Sequence, residues 1–135
     1  MGSDSIAGVN GWIKTTSAVT SLVGGRIYEK YLPQNPTYPA LSFWSVVDIP
    51  IPNHDDTLKF RDRVQFDCWA TSRSSLDSLA GAVRGLHGPI GATFNGIIME
   101  YARYLSSREF EVDYEPEETL KNVRRKIVEF EIWYR

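Results

Sequence analysis

An alternation of apolar and polar residues, typical of β-strands with one buried face, recurs along the chain. It is clearest over residues 125–135, where Val128, Phe130 and Ile132 fall on one side of the predicted strand. The same alternation covers three further stretches, residues 40–49, 60–70 and 97–106. Residues 40–49 are partly apolar on both faces, so we expect one of those faces to meet another subunit.

The stretch 60–70 predicts a strand with a dry side and a wet side, because successive side chains of a strand point to opposite faces. Its dry side is made of apolar residues: Val64, Phe66, Cys68 and Ala70. Its wet side is made of polar and charged residues: Arg63, Gln65 and Asp67. A shorter strand is predicted over residues 26–31, before a loop with three prolines at residues 32–39.

Two other stretches repeat at the helical period instead. Residues 4–23 predict one amphipathic helix that ends at Gly24, although Gly8 and Gly11 weaken its first turns, so its firm part is expected to begin near Gly11. Residues 75–86 predict a second helix, with Ser74 and Asp77 as its N-terminal cap. Its apolar side is formed by five residues: Leu76, Leu79, Ala80, Val83 and Leu86. Residues 87–91 are expected to end this helix as chain breakers, with His87 capping its last carbonyls.

The order of these elements predicts an α+β fold. We expect a single domain over residues 1–135, built as an antiparallel (mixed) β-sheet with an N-terminal helix and a central helix packed on one face. A chain of 135 residues is long enough to form such a core without a metal or a disulfide. Its single cysteine, Cys68, is expected to be a buried and inert thiol.

Charge and hydropathy narrow the function classes. A net charge of −2 and a pI near 5.7 provide no basic field for nucleic acid, so DNA binding is not expected as the main activity. No apolar run approaches the ~20 residues that span a bilayer, and residues 1–11 lack the pattern of a signal peptide. The expectation is a soluble protein of the cytoplasm with no membrane partner.

Catalytic chemistry has little support in the sequence. No phosphate loop, dinucleotide fingerprint or nucleophile elbow is present. The compact group His54, Asp55 and Asp56 is expected to be a solvated turn, because a metal site needs three or four ligands held by further contacts. We therefore expect no catalytic residue, no cofactor and no metal. A small α+β enzyme or ligand-binding domain, with a pocket between helix and sheet, stays open as an alternative.

Charge is strongly patterned near the C-terminus. Six acidic residues lie within residues 109–118, and four basic residues follow within residues 121–126. This pattern fits a solvated hairpin whose halves neutralise each other. It also fits assembly, because an acidic edge of one subunit can face a basic edge of the next in a ring of identical subunits.

Four stretches, taken in their order and spacing, resemble the tail-completion (tail-terminator) proteins of long-tailed bacteriophages and prophages. They are residues 19–28, the turn and strand start at 32–41, the strand 63–71 and the ending 127–134. The resemblance spans nearly the whole chain, and it departs most at the loop 50–57 and the acidic stretch 109–118.

The resemblance implies a non-enzymatic structural protein that forms a ring, typically a hexamer, at the head-proximal end of the tail tube. The ring would stop tube polymerisation and offer a docking surface to the head connector or stopper protein. The implied partners are further copies of the chain, the tail tube protein and that connector, with DNA only passing through the lumen. The implied location is the host cytoplasm during assembly and then the virion. A head-completion or stopper ring of the phage neck is the alternative within this class.

Two sets of residues are predicted to make these contacts. Contacts between rings are expected in two loops, at Asn53, His54, Asp55, Asp56, Glu109, Glu111, Asp113 and Glu115. Contacts between subunits are expected at aromatic and basic residues, which interfaces favour: Trp44, Trp69, Arg124 and Arg125.

Overall fold

The computed structural model describes residues 2–51, 59–110 and 123–135, which form three helices and six strands. The helices are α1 (Gly2–Ile13), α2 (Ser17–Val23) and α3 (Arg73–Arg84). The strands are β1 (Ile27–Glu29), β2 (Ala40–Ile51), β3 (Lys59–Ala70), β4 (Gly88–Phe94), β5 (Ile97–Phe110) and β6 (Arg124–Tyr134). Among these helices, none is both long and apolar enough to cross a membrane.

The six strands form one mixed sheet in the order β1-β2-β3-β6-β5-β4. Only the short β1 runs parallel to its neighbour, β2, and the other pairs are antiparallel. The central pair, β3 and β6, is in register from Phe60 opposite Tyr134 to Ala70 opposite Arg124. The predicted α+β fold with a mixed sheet is confirmed.

The apolar side of the sheet is buried under the helices, as the alternation predicts. Every residue predicted for the dry side of β3, together with Val128, Phe130 and Ile132 of β6, has no exposed surface. Phe66 lies at the centre, where its ring meets those of Phe130, Phe43 and Trp12 at centroid distances of 5.8, 6.2 and 6.5 Å. On the predicted second helix, four of the five apolar residues are fully buried: Leu76, Leu79, Ala80 and Val83.

The wet side of β3 differs from the prediction. Arg63 is half exposed, but Gln65 and Asp67 are buried, with 8% and 4% of their surface exposed. Side chains from the neighbouring strands cover them; the guanidinium of Arg125, on β6, lies 3.2 Å from Asp67. Alternation predicts which face a side chain points to, whereas burial also depends on the side chains that the next strands place beside it.

The N-terminal helix is broken into two, α1 and α2, instead of running through residues 4–23. The hydroxyls of Thr15 and Thr16 donate hydrogen bonds of 2.7 Å to the carbonyls of Trp12 and Ile13, the last residues of α1. Threonine hydroxyls compete in this way with the continuing helical hydrogen bonds. The helix also begins at Gly2 rather than near Gly11.

Two glycines of α1 allow this helix to approach the β4–β5 hairpin. A Cβ atom on Gly8 would lie 2.8 Å from the sulfur of Met99, and one on Gly11 would lie 2.9 Å from Cβ of Phe94. Both distances are too short for a real contact. The two glycines therefore permit close packing of α1 against the hairpin. The sequence alone indicates only their low helix propensity.

Two local predictions around α3, the N-cap at Ser74 and the helix cap by His87, are wrong, and a third is incomplete because the chain breakers that follow the helix also belong to a strand. The N-cap of α3 is Ser72, whose hydroxyl accepts a hydrogen bond of 3.1 Å from the backbone N–H of Ser75. Residues 88–94 form β4, because an edge strand with an irregular register tolerates Pro89 and Gly91. His87 does not cap the helix with its side chain; its Nδ1 accepts a hydrogen bond of 3.0 Å from the backbone N–H of Tyr104.

Leu79→Asp is expected to unfold the chain, with a loss of at least about 4 kcal/mol, because it places a carboxylate in the fully buried seam between α3 and the sheet. Leu79→Met, which nearly conserves volume, should cost less than about 1.5 kcal/mol. Urea unfolding followed by circular dichroism measures both variants. A cooperative transition of Leu79→Asp near that of the unmodified chain would contradict the packing of α3.

Gly8→Ala is expected to lower the free energy of unfolding by about 1–3 kcal/mol, because the added methyl group must displace Met99 or Ile97. Gly81→Ala in α3 is the matched control, since the nearest atom to its new methyl group is the end of the Arg84 side chain at 3.9 Å. That variant should gain about 0.5–1 kcal/mol from helix propensity. Equal effects of the two substitutions in thermal unfolding would show that α1 does not approach the hairpin closely.

Candidate functional site

The face of the sheet that points away from the helices is called here the outer face. It is defined by residues that alternate with the buried ones: Ser42 and Trp44 of β2; Arg61, Arg63, Gln65, Asp67 and Trp69 of β3; Arg125, Glu129, Glu131 and Trp133 of β6. Three of the chain's four tryptophans lie on it. No described helix covers this face, so its side chains are the ones available to another molecule.

At the β6–β5 side of the outer face, arginines and glutamates form ion pairs across the strands. Arg63 lies 3.1 Å from Glu129, and Glu131 lies 3.4 Å from Arg61 and 3.7 Å from Arg103. The arginine side chains are 37–57% exposed, so water screens these pairs and each contributes at most about 1 kcal/mol. Opposite charges thus neutralise each other in this region.

At the other side of the outer face lies a pocket of about 560 Å³. Its lining comes from the segment after β1 and from β2, β3 and β6: Lys30, Tyr31, Leu32, Trp44, Asp67, Trp69 and Arg125. We call this the tryptophan pocket. Lys30 has a φ of +67°, and its backbone N–H donates a 2.8 Å hydrogen bond to the carbonyl of Phe43. The chain turns at this residue, and the next side chain, Tyr31, is 80% exposed.

The polar side of the tryptophan pocket is held by Asp67. Gln65 donates a hydrogen bond of 2.8 Å to one carboxylate oxygen, and Arg125 donates one of 3.2 Å to the other. Burial raises the pKa of Asp67 above its ordinary value, while the hydrogen bond from Gln65 and the charge of Arg125 act in the opposite direction. Both oxygens are engaged, so this carboxylate is a structural group of the pocket rather than a free base.

The aromatic side of the pocket is equally fixed. The guanidinium carbon of Arg125 lies 5.2 Å from the centre of the Trp69 ring, a cation–π distance. The indole N–H of Trp69 donates a hydrogen bond of 3.1 Å to the hydroxyl of Ser42. The arrangement can receive an apolar side chain against Trp44 and Trp69, with the Lys30 ammonium available for a negative group.

Three of the four residues predicted for subunit contacts, Trp44, Trp69 and Arg125, come together in this pocket. The fourth, Arg124, lies apart and is 44% exposed, 3.9 Å from Glu109. Glu109 itself receives two hydrogen bonds from Arg73, of 2.7 and 2.9 Å, which hold its pKa below the ordinary value. It is thus paired within its own subunit.

The other residues predicted for contacts between rings lie outside the described residues: Asn53, His54, Asp55, Asp56, Glu111, Asp113 and Glu115. In the described part of the chain, no three His, Cys, Asp or Glu side chains group together as metal ligands would. Cys68 is fully buried, as predicted, and burial raises the pKa of its thiol well above the usual range, which disfavours the reactive thiolate.

Sequence reasoning missed the part of the pocket that lies next to the proline-rich loop. Lys30 and Tyr31 fall at the end of the strand predicted over residues 26–31 and Leu32 begins the loop after it, and neither pattern marked them as contact residues. The available signal was Tyr31, a large aromatic residue at the end of a short predicted strand. Its place beside Trp44 depends on the backbone turn at Lys30, which periodicity does not encode.

Comparison with known proteins shows the family to which the chain belongs. A sequence model of the family described as tail completion protein gp17 matches residues 8–88. The sequences of curated proteins give no match. Among solved structures, a chain from the virion of a native gene transfer agent (GTA) particle has a TM-score of 0.66 and 12% sequence identity. The similarity covers 95% of this chain and 92% of that one, and at this identity it concerns the fold.

The family match runs from α1 to the first residue of β4 and takes in β1, β2 and β3, which supply most of the tryptophan pocket. It covers more than half of the chain, and it confirms the family that the order of sequence motifs indicates. The chain therefore belongs to the tail completion protein gp17 family and is a structural component of a phage tail.

Proposed function

We propose that this protein forms a ring, a hexamer when assembled, that caps the head-proximal end of the tail tube. The ring stops tube polymerisation and then offers a docking surface to the head connector or stopper protein. The family match over residues 8–88 is the observation that carries this proposal. Assembly takes place in the host cytoplasm, and the ring remains in the virion, with DNA passing through its lumen.

Capping follows from symmetric docking with two unequal faces. One face of the ring copies the top of a tail tube ring, so that it adds to the growing tube. The other face differs, so no further tube subunit can add to it. A role of this kind needs a rigid subunit with several separate contact surfaces and no catalytic group, and we propose that the protein is not an enzyme.

The tryptophan pocket is the proposed contact between neighbouring subunits. Tryptophan and arginine dominate the binding energy of many interfaces, and Trp44, Trp69 and Arg125 line this pocket together. The carboxylate of Asp67 and the indole N–H of Trp69 are already hydrogen-bonded, so a partner does not need to satisfy them. Arg124, which is half exposed beside Glu109, is a second contact of this kind. The loop with residues 53–56 is the proposed contact between rings.

Loss of the protein is expected to give overlong tails without heads, because nothing then stops the tube or links it to the head. Electron microscopy of particles from a strain that lacks the gene measures tail length and head attachment. Complementation with the intact gene is the control. Tails of normal length joined to heads would refute the proposal, whereas normal tails that carry no head would assign the protein to the neck ring instead.

Deletion of residues 52–56 is expected to leave a folded subunit but to lower the yield of joined particles by about tenfold or more, because the described pairing of β2 with β3, which ends at Ile51 opposite Lys59, does not include these residues. Replacing the five residues with glycine and serine is the control for loop length. It should lower the yield similarly if the side chains make the contact. Infectious-particle counts and the circular dichroism of the purified subunit measure the two effects, and unchanged counts would exclude the loop from joining.

A further inference from the structure

We propose that the tryptophan pocket receives an acidic peptide segment from a neighbouring copy of this chain, with one apolar side chain of that segment inserted against Trp44 and Trp69. This inference rests on the proposed ring of identical subunits and names the two surfaces that would join them. The argument uses the walls of the pocket, its charge, and the chemistry that the chain itself offers as an occupant.

The walls of the pocket are apolar and only partly covered. Trp44 and Trp69 are each half-buried, and Tyr31 exposes 80% of its surface at the mouth. The volume of about 560 Å³ falls within the range of sites that take a ligand of several side-chain atoms. Aromatic residues left exposed beside a cavity of this size are typical of a surface that is completed by a partner.

The charge of the pocket favours a negative occupant. Its lining carries two cations, Lys30 and Arg125, and one carboxylate, Asp67. The carboxylate is already paired with Arg125 and accepts a further hydrogen bond from Gln65, so it offsets the charge of Arg125 but not that of Lys30. Among the described residues, the ammonium group of Lys30 lies in no ion pair, so one positive charge at the mouth is available.

The chain contains a segment of matching composition. Residues 111–115 read Glu-Val-Asp-Tyr-Glu, in which each apolar residue stands between two acids. Glu109, just before them, is held by Arg73 of its own subunit, and we assign the acids of residues 111–115 as the complement of Lys30. The pocket and the segment are different parts of the chain, so the contact is heterologous, and repeated around an axis it closes a ring.

The probe for this contact is a synthetic peptide with the sequence of residues 110–116, Phe-Glu-Val-Asp-Tyr-Glu-Pro, titrated into the full-length protein by calorimetry. A second peptide carries lysine in place of its three acids. We expect the acidic peptide to bind at least about tenfold more tightly than the lysine peptide, because like charges oppose binding at the mouth. Equal binding of the two peptides, or no binding of either, would overturn the proposal.

Substitutions at Lys30 and Trp44 in the pocket, with a control substitution at Lys14, locate the site where the peptide binds. Lys30→Glu and Trp44→Ala are each expected to weaken binding of the acidic peptide by about tenfold. Lys14→Glu, the same charge reversal at an exposed residue after α1, should leave the affinity within about twofold. Thermal unfolding of each variant checks that the fold is retained. Trp44→Phe, which keeps an aromatic wall, should bind more tightly than Trp44→Ala; unchanged binding in Lys30→Glu would place the peptide elsewhere.

A further variant separates a neighbouring copy from the chain's own segment. It carries Glu111→Lys, Asp113→Lys and Glu115→Lys, so its own segment no longer has the required charge. Peptide binding to both this variant and the unmodified chain supports an occupant from a second copy. Binding to the variant alone, with the unmodified chain a monomer by light scattering, would show that each pocket is filled by its own chain and would overturn the proposal. Tail imaging tests the capping role separately from peptide binding. If a strain that lacks the gene makes overlong tails but the acidic peptide does not bind the protein, this contact is rejected and the capping role is retained.

Discussion

The packing of the helices against the apolar side of β3 and β6 is the interaction on which the rest of the structure depends. Phe66 meets Trp12 of α1, Phe43 of β2 and Phe130 of β6, so a single ring ties one helix to three strands. The described helices are all used on that side. The outer face is consequently left to side chains alone, and its tryptophans, ion pairs and pocket follow from the one-sided placement of the helices.

The charged side chains of the outer face are paired with opposite charges on neighbouring strands. The arginines and glutamates of β3, β5 and β6 pair across the strands, which keeps the face close to neutral and also favours one strand register. Burial of the Asp67 carboxylate costs free energy, and hydrogen bonds from Gln65 and Arg125 to its two oxygens offset that cost. A pocket whose carboxylate and indole groups are already held by hydrogen bonds is pre-organised, and pre-organisation lowers the entropy cost of binding a partner. This property suits a subunit that assembles without changing its fold.

A tail protein needs a rigid subunit and exposed contact surfaces, and the chain separates the two. Its rigid part is the helix-covered sheet, in which close packing at Gly8 and Gly11 anchors the β4–β5 edge to α1. Its proposed contact surfaces are polar and aromatic positions that the core does not use. The similarity in fold to a chain of the gene transfer agent virion, at only 12% identity, fits this division, since the fold persists where few side chains are shared.

The sequence by itself determined the described strands other than β4, the apolar sides of β3 and β6, the α3 helix and the family. Period-two and helical patterns are local, and burial then follows for residues such as Val64, Val128 and Leu79 because the core has only one side. The site was predicted in part: Trp44, Trp69 and Arg125 were chosen for their chemistry, and the tertiary structure decided that they share one pocket. It also decided the burial of Asp67, the close contact at Gly8, the existence of β4 and the turn at Lys30. Each of these depends on atoms that are distant along the chain, and a pattern along the chain carries no information about which distant side chain will lie beside it.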